Sequence, residues 1–245
     1  MFTRKRNAIL WGVTFWGSVL VASPSELLFV VMGGRTSCDD SGQVLKPYGV
    51  GLYPRFQDLV KSTKSSHPEL KVRYVITCFD TEPPPNAQMP FVTSEEPQRL
   101  QRGNAGNVMN VVESMENLGT RTSTILIGHS YGGFLGMYFA ERLRLKNRVA
   151  LLATVDPISN QCGPWEVVIG SQVCHEAPRN LRNDVILNSV GQWLNFYQTS
   201  DDWVNSGPIS EAKNFFIGYR GPHSDIDTDN RTWKEIRFSV ESLLR

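Results

Sequence analysis

The sequence predicts an α/β protein with a doubly wound, mostly parallel sheet of about six strands flanked by helices. Short apolar runs alternate along the chain with stretches of helical periodicity, and no internal repeat or interior linker divides it. The apolar runs are continuous, which is typical of parallel strands covered by helices on both faces. The chain has 245 residues, 40% of them hydrophobic, enough for one domain with a substantial core.

The predicted strands follow from these apolar runs. The first, LLFVVM, is uninterrupted and ends at Gly33-Gly34, and TSTILI and VALLATV have the same character. The last two strands are weaker. The six predicted strands lie near residues 27–32, 72–79, 122–127, 149–155, 194–198 and 214–219.

Helices are predicted where apolar residues recur at intervals of three and four. Pro54 suits a first helical turn, and Asn107 is a suitable N-cap for a helix that Gly119 ends. The last helix contains Trp233. The predicted helices span residues 53–64, 108–118 and 131–145 and a C-terminal stretch, whereas residues 83–106 are expected to be irregular.

The charge balance argues against nucleic acid as a partner. The chain has 25 Lys and Arg against 24 Asp and Glu, a net charge of +1, and no long basic stripe. Binding to nucleic acid needs a concentrated cationic surface. The hydrophobic content, together with Gly and Pro that follow no period, also excludes a disordered or collagen-like chain.

The N-terminus has the pattern of a secretory signal peptide. Arg4, Lys5 and Arg6 precede an uncharged apolar run over residues 8–22 that ends in small residues. This run is shorter than the roughly 20 residues that a membrane span needs. We therefore expect residues 1–22 to be a signal peptide, residues 23–245 to be a single domain, and the protein to be periplasmic or secreted. The alternatives are a buried helix or an uncleaved anchor, and only such an anchor would bring the protein into contact with a membrane.

Export would place the four cysteines in an oxidising compartment. Their spacings match no zinc-site pattern, so we expect disulfides. Of the three possible pairings we prefer Cys38 with Cys78, both near the ends of predicted strands, and Cys162 with Cys174, which would close a short loop. Four free buried thiols are the alternative if the protein is not exported.

The third predicted strand runs directly into Gly128-His129-Ser130-Tyr131-Gly132, and a helix follows at once. A nucleophilic serine must stand on a sharp turn with strained backbone angles, and small residues on either side let strand and helix pass closely. This context predicts a nucleophile elbow at Ser130. The alternative is a Gly-Ser turn that only packs a helix on the sheet. His129 is expected to point toward the sheet and to be structural.

Four segments of the chain are similar to those of a known family. They are GHSYGG at residues 128–133, VDPIS at 155–159, NFYQ at 195–198 and HSDID at 223–227. With these segments the chain resembles the α/β-hydrolase superfamily and, more loosely, small exported bacterial lipase-like or esterase-like proteins. The resemblance implies a serine hydrolase with a Ser-His-Asp triad and does not identify a substrate. We expect no cofactor, no metal, and a small-molecule ester or lipid-like substrate.

The family's chain order of Ser, acid, His leaves two candidates for the base. Of the four histidines, only His175 and His223 follow Ser130. His223 lies in a polar loop after the last predicted strand, where an imidazole could reach Ser130 and act first as base and then as acid. His175 follows Cys174 in a loop that we expect to be closed by a disulfide. We therefore predict His223 as the base, with an ordinary surface histidine as the alternative.

The acid is less clearly indicated. Asp156 ends the strand that follows the nucleophile helix, and a carboxylate at that edge could bond the imidazole and fix its tautomer. Asp201 and Asp202 follow the next strand, a position that many family members use. We favour Asp156 because the strand before it is unambiguous. Otherwise Asp156 is a turn residue, and Asp184 is the next candidate.

The expected oxyanion hole consists of two backbone N–H groups. Tyr131 follows the nucleophile at a helix N-terminus, and Gly34 lies in the loop after the first strand, where glycine permits close approach to a substrate. The alternative for Gly33-Gly34 is a simple turn of the chain.

Residues 225–229, DIDTD, copy the start of a calcium loop. The sixth position is Asn230 rather than Gly, and the twelfth is Ile236 rather than a bidentate Glu. We therefore reject a calcium site and expect helix capping and surface charge from these aspartates.

These residues predict a cofactor-free serine hydrolase that cleaves a carboxylic ester through an acyl-enzyme. A thioesterase or an acyltransferase would use the same groups. The alternative from another class is a catalytically silent protein of this fold that binds a ligand or a partner, because fold does not determine function.

Overall fold

The structure describes eight segments of the chain. In this computed structural model, the described residues are 24–34, 52–77, 91–93, 122–142, 149–158, 182–198, 206–218 and 223–245. Several predictions fall outside these segments and stay predictions. They concern the signal peptide, the four cysteines, the helix over 108–118, His175, Asp201 and Asp202. None of the helices within the described segments has the length and apolar character that a membrane span requires.

The described strands form one sheet. They are β1 (Glu26–Met32), β2 (Lys71–Thr77), β3 (Phe91–Thr93), β4 (Thr122–His129), β5 (Val149–Val155), β6 (Val190–Tyr197) and β7 (Lys213–Phe216). Their order in the sheet is β3-β2-β1-β4-β5-β6-β7, and every neighbouring pair is parallel except the antiparallel pair of β2 and β3. The chain thus starts with β1 inside the sheet, adds β2 and β3 toward one edge, and then adds β4 to β7 toward the other edge. The predicted doubly wound, mostly parallel sheet is confirmed.

Helices accompany the strands in the described segments. They are α1 (Leu52–Ser66), α2 (Tyr131–Arg142), α3 (Asn183–Ser189), α4 (Asn230–Leu243) and a 3₁₀ helix (His223–Thr228). α1 connects β1 with β2, and α2 connects β4 with β5. A strand followed by a helix and a parallel neighbouring strand is the unit from which such sheets are built.

The hydrophobic core consists of two layers, one on each face of the sheet. Successive residues of β4 alternate between them, because Ile125 and Ile127 belong to one layer and Leu126 to the other. The first layer includes apolar side chains of α1 and α4, and the second includes those of α2 and α3. Every side chain of β1 from Leu27 to Met32 is buried, as its uninterrupted apolar run predicted.

Three elements differ from the sequence prediction. β3 lies within the segment that was expected to be irregular, and its three residues are too few to show a period. α3 was not predicted, because seven residues make only two turns of helix. His223 lies at the start of a 3₁₀ helix rather than in a loop, and Thr228 Oγ1 donates a 2.9 Å hydrogen bond to the Asp225 carbonyl within that helix.

Helix α2 begins very close to the end of β1. A Cβ atom on Gly132 would lie 2.2 Å from the carbonyl oxygen of Met32, and a Cβ atom on Gly128 would lie 2.2 Å from the carbonyl oxygen of Gly132. Non-bonded heavy atoms cannot approach so closely, and backbone atoms cannot move aside as a side chain can. Both glycines around Ser130 are therefore needed for the passage of strand and helix, as the sequence predicted.

Replacing Gly132 with alanine should lower the free energy of unfolding by about 1–3 kcal/mol, because the new methyl group collides with backbone. Gly136→Ala is the matched control on the same helix. Its Cβ would lie 3.1 Å from Met32 Cε and 3.2 Å from Leu152 Cδ1, which are the ends of flexible side chains. Since alanine also gains helix propensity, this control should stay within about 1 kcal/mol of the wild type in urea unfolding. Equal stability of the two variants would contradict the close passage of α2 over β1.

Candidate active site

The predicted site residues lie at the carboxyl ends of neighbouring strands. β1 and β4 are adjacent, and β2 and β5 lie on their outer sides, so the strand order reverses between them. In doubly wound sheets this reversal leaves a crevice in which ligands bind. Gly34 closely follows β1, Ser130 follows β4 and Asp156 follows β5. The sheet therefore brings three of the predicted residues to one edge.

Ser130 has a strained backbone that hydrogen bonds hold in place. Its φ angle is 57°, in the left-handed region that side-chain-bearing residues rarely adopt. Its N–H donates to the Val155 carbonyl at 2.9 Å, and its carbonyl accepts from the N–H of Ile158 at 3.1 Å and of Gly133 at 2.9 Å. The turn thus has the sharp geometry expected of a nucleophile elbow. Its backbone is hydrogen-bonded to Val155, just before Asp156, and to Ile158, just after it.

Asp156 is fully buried, and its carboxylate accepts three hydrogen bonds. Oδ1 accepts from the backbone N–H of Ser206 at 2.7 Å. Oδ2 accepts from Gln198 Nε2 at 3.0 Å and lies 2.8 Å from His223 Nδ1. A buried carboxylate without partners is costly, and these donors offset that cost. The residue also has a positive φ of 45°, which directs its side chain away from the regular strand path.

The pairing with Asp156 defines the tautomer of His223. Because a carboxylate only accepts, the short Nδ1–Oδ2 contact places a proton on Nδ1 and leaves Nε2 of a neutral ring without one. Nε2 is buried and has no hydrogen-bond partner in the described part of the chain. An unprotonated ring nitrogen with a free lone pair is what a general base requires.

Among the candidates for the acid, the structure brings Asp156 to His223. Asp184 lies in the first turn of α3, where its side chain is 69% exposed and pairs with Arg182 at 3.3 Å. Asp201 and Asp202 lie outside the described segments, so the structure gives no position to compare with that of Asp156.

His129 is buried against His223. The two rings stack with centroids 4.7 Å apart, and His129 Nε2 lies 3.1 Å from the carbonyl oxygen of His223. Burial, together with the neighbouring His223, lowers the pKa of His129 to about 3, so this ring is neutral at physiological pH. The prediction that His129 is structural agrees with its burial. The contact of His129 with His223 was not predicted.

The aspartates of residues 225–229 differ in environment. Asp229 is the N-cap of α4 and accepts from the Arg231 N–H at 2.7 Å, so the predicted capping is confirmed. The expectation of surface charge is wrong for Asp227. This residue is buried, and its carboxylate accepts a hydrogen bond from the Leu52 N–H at 3.0 Å. Among the described residues, no cluster of three or more His, Cys, Asp or Glu side chains could hold a metal ion.

The predicted oxyanion donors flank Ser130 in the structure. Tyr131 is the first residue of α2, so its N–H belongs to the group that a helix leaves without intrahelical partners. Gly34 packs directly on Ser130, because a Cβ atom there would lie 2.9 Å from Ser130 Cβ and 3.4 Å from its Oγ. A side chain at residue 34 would therefore displace the serine. Their role in binding an oxyanion stays a prediction.

Sequence reasoning missed two contributors to this site, Gln198 and Ser206. Gln198 belongs to the NFYQ segment, but no role was assigned to it. Its position directly after β6, the neighbour of the strand that ends at Asp156, was the available signal. The Ser206 contribution is a backbone N–H, which no residue type identifies.

The sheet order and the turn at Ser130 define an α/β-hydrolase fold. The chain is similar to the ydeN gene product from B. subtilis, with a TM-score of 0.50 and 13% identity over 88% of this chain and 99% of that one. It is less similar to Est1E from Butyrivibrio proteoclasticus, with a TM-score of 0.44 and 14% identity over 88% of this chain and 86% of that one. No protein-family model and no curated protein matches the sequence.

Ionisation of Asp227 should destabilise the fold, because burial raises its pKa from 3.8 to about 6. Below both values the carboxyl is protonated in the folded and unfolded states. Between them only the unfolded state loses the proton, so the contribution of Asp227 to stability falls as pH rises and is fully lost above about pH 6. The difference between the two pKa values corresponds to ~3 kcal/mol.

Asp227→Asn cannot ionise, so its free energy of unfolding should rise relative to the wild type by ~3 kcal/mol between about pH 4 and pH 7. Urea unfolding across this range measures the difference. Asp58→Asn, at an exposed position of α1, is the control for the removal of a carboxylate, and the rise in Asp227→Asn is measured against it. A constant difference between Asp227→Asn and wild type would mean that the Asp227 carboxyl titrates normally.

Proposed function

We propose that the protein is a serine hydrolase that cleaves a carboxylic ester through an acyl-enzyme. One observation supports this most directly. His223 has Nδ1 bonded to the buried Asp156, has no partner for Nε2 among the described residues, and stacks on the residue that precedes Ser130. Nucleophilic catalysis needs a base that is oriented by a carboxylate and a serine on a strained turn, and the structure has both at this edge of the sheet.

In the proposed reaction, Ser130 Oγ attacks the ester carbonyl while His223 Nε2 accepts its proton. The tetrahedral intermediate collapses as the protonated His223 donates this proton to the departing alkoxide. Water then attacks the acyl-enzyme with His223 again as base, which releases the acid and restores Ser130. Asp156 keeps the imidazole in the reactive tautomer and stabilises its cation.

The negative charge on the tetrahedral intermediate needs donors in the site. The N–H groups of Tyr131 and Gly34 are the proposed oxyanion hole, and both residues lie beside Ser130. Donors fixed in advance are worth more than water because they need no reorganisation during the reaction. No cofactor or metal takes part in the proposed reaction.

The proposed substrate is a small-molecule or lipid-like ester. Thioesters could react through the same groups, and transfer of the acyl group to an alcohol in place of water would make the protein an acyltransferase. The basic and apolar pattern of residues 1–22 supports action outside the cytoplasm as part of the proposal. Hydrolysis of oxygen esters and thioesters with matched acyl chains would separate the substrate classes.

Ser130→Ala should abolish covalent labelling by a fluorophosphonate while keeping the fold, because it removes one hydroxyl and no large side chain. Intact mass measures the labelling, and circular dichroism checks the fold. Ser65→Ala, which removes an exposed hydroxyl on α1, is the matched control and should label as the wild type does. An unlabelled wild type would favour the silent binding protein, and a labelled Ser130→Ala variant would place the nucleophile elsewhere.

Asp156→Asn keeps the shape of the side chain but favours the wrong imidazole tautomer, so kcat should fall about 10⁴-fold. Asp201→Asn and Asp202→Asn should each cost less than about tenfold, because Nδ1 of the imidazole is already paired with Asp156 and a carboxylate that does not bond the imidazole acts only through a screened field. Steady-state ester hydrolysis measures all three. The reverse ranking would assign the acid to the segment after β6, and three active variants would indicate a Ser-His dyad.

A further inference from the structure

The ring of His129 has a fixed tautomer. A carbonyl oxygen only accepts, so the 3.1 Å contact with the His223 carbonyl requires that His129 Nε2 donates. The neutral ring then has no proton on Nδ1, which lies 3.5 Å from Asp227 Oδ2. The same carboxylate oxygen accepts from the Leu52 N–H at 3.0 Å. The hydrogen bond from Nε2 thus ties His129 to the 3₁₀ helix, and Asp227, which lies beside its other ring nitrogen, is itself bonded to the start of α1.

The contacts of His129 restrict His223 in two further ways. The stacked rings have an interplanar angle of 28°, so His129 covers one face of the His223 ring. The hydrogen bond to the His223 carbonyl fixes the backbone from which that ring projects. Together with the bond from Nδ1 to Asp156, these contacts determine the direction in which His223 Nε2 points.

His129 cannot be the base itself. Its pKa of about 3 leaves it unprotonated at neutral pH, and its Nε2 lone pair is not available because that nitrogen donates to a carbonyl. A neutral ring is, however, suited to lie against a histidine that gains and loses a proton. A second imidazolium at 4.7 Å would repel the charged form of His223.

We propose that His129 is a positioning residue, which directs the Nε2 atom of His223 by stacking on its ring and donating a hydrogen bond to its carbonyl. This inference rests on the proposed function of Ser130 and His223. It changes the interpretation of the residue before the nucleophile from a core histidine to a part of the support for the base. Displacement of a reacting group by about 1 Å can cost about 10²-fold in rate, so such support affects catalysis directly.

The test compares His129→Gln with His129→Met. Glutamine places an amide Nε2 the same number of bonds from the backbone as the histidine Nε2, whereas methionine has similar length and no donor. His67→Met is the control, because His67 is also partly buried and bonded, to Glu241 at 3.0 Å, but contacts the opposite end of α1. Urea unfolding establishes that each variant is folded. If His129→Met does not fold, His129→Phe replaces it, since a phenyl ring is flat and also has no donor.

We expect kcat of His129→Met to fall about 10²-fold, while His129→Gln recovers at least about tenfold of that loss. KM should change less than about threefold in both, because the effect is on the base rather than on binding. His67→Met should retain the wild-type kcat. Equal kcat values for wild type and His129→Met, or for His129→Gln and His129→Met, would overturn the positioning role.

A second readout does not depend on activity. The proton between His223 Nδ1 and Asp156 should give a low-field proton NMR signal, which Asp156→Asn identifies by its loss. We expect this signal to weaken or disappear in His129→Met and to persist in His129→Gln and His67→Met. An unchanged signal in His129→Met would overturn the proposal. If the wild type cleaves no ester, the proposed function fails, but this signal still decides whether His129 positions His223.

Discussion

The passage of α2 over the end of β1, with backbone touching backbone, is the constraint on which the site depends. Gly132 meets the Met32 carbonyl so closely that no side chain fits between them. The chain can enter the helix there only through a sharp turn, and Ser130 adopts its positive φ as a result. Such strain costs on the order of 1–3 kcal/mol and persists because surrounding contacts hold it. The bonds of Ser130 to Val155 and Ile158 are among those contacts, and they fix the serine next to the Asp156 turn.

A network of polar side chains on β5, β6 and β7 supports the position of Asp156. Thr154 Oγ1 donates to Asn195 Oδ1 at 3.0 Å, and Asn195 Nδ2 donates to Asn214 Oδ1 at 2.9 Å and to the Gly207 carbonyl at 3.2 Å. Gly207 directly follows Ser206, whose N–H holds the Asp156 carboxylate. Hydrogen bonds in a low-dielectric interior are strong, and a satisfied network is rigid. The carboxylate is therefore fixed by strands β5 to β7 rather than by its own loop alone.

The sequence predicted what apolar periodicity and local turn chemistry can report. The runs before Gly33 and Asp156 predicted strands whose ends lie at the site, and the glycines around Ser130 predicted its turn. Contacts between polar side chains distant in sequence leave no such period. His129 and His223 are separated by 94 residues, so neither their stacking nor their hydrogen bond could be predicted. Asp227 lies in an acidic run typical of a surface, and its burial results from packing against α1.

The C-terminal segment, residues 223–245, contains His223 but contributes no strand to the described sheet. It is attached through the apolar face of α4 and through bonds such as those from Arg55 to the Thr228 carbonyl and from Arg231 to the Ile217 carbonyl. Proteins open locally in cooperative units, and a helical segment outside the sheet can detach while the sheet stays paired. Detachment of this segment would separate the proposed base from Asp156 with the parallel strands still intact. Loss of the proposed pairing of base and acid would therefore not require global unfolding.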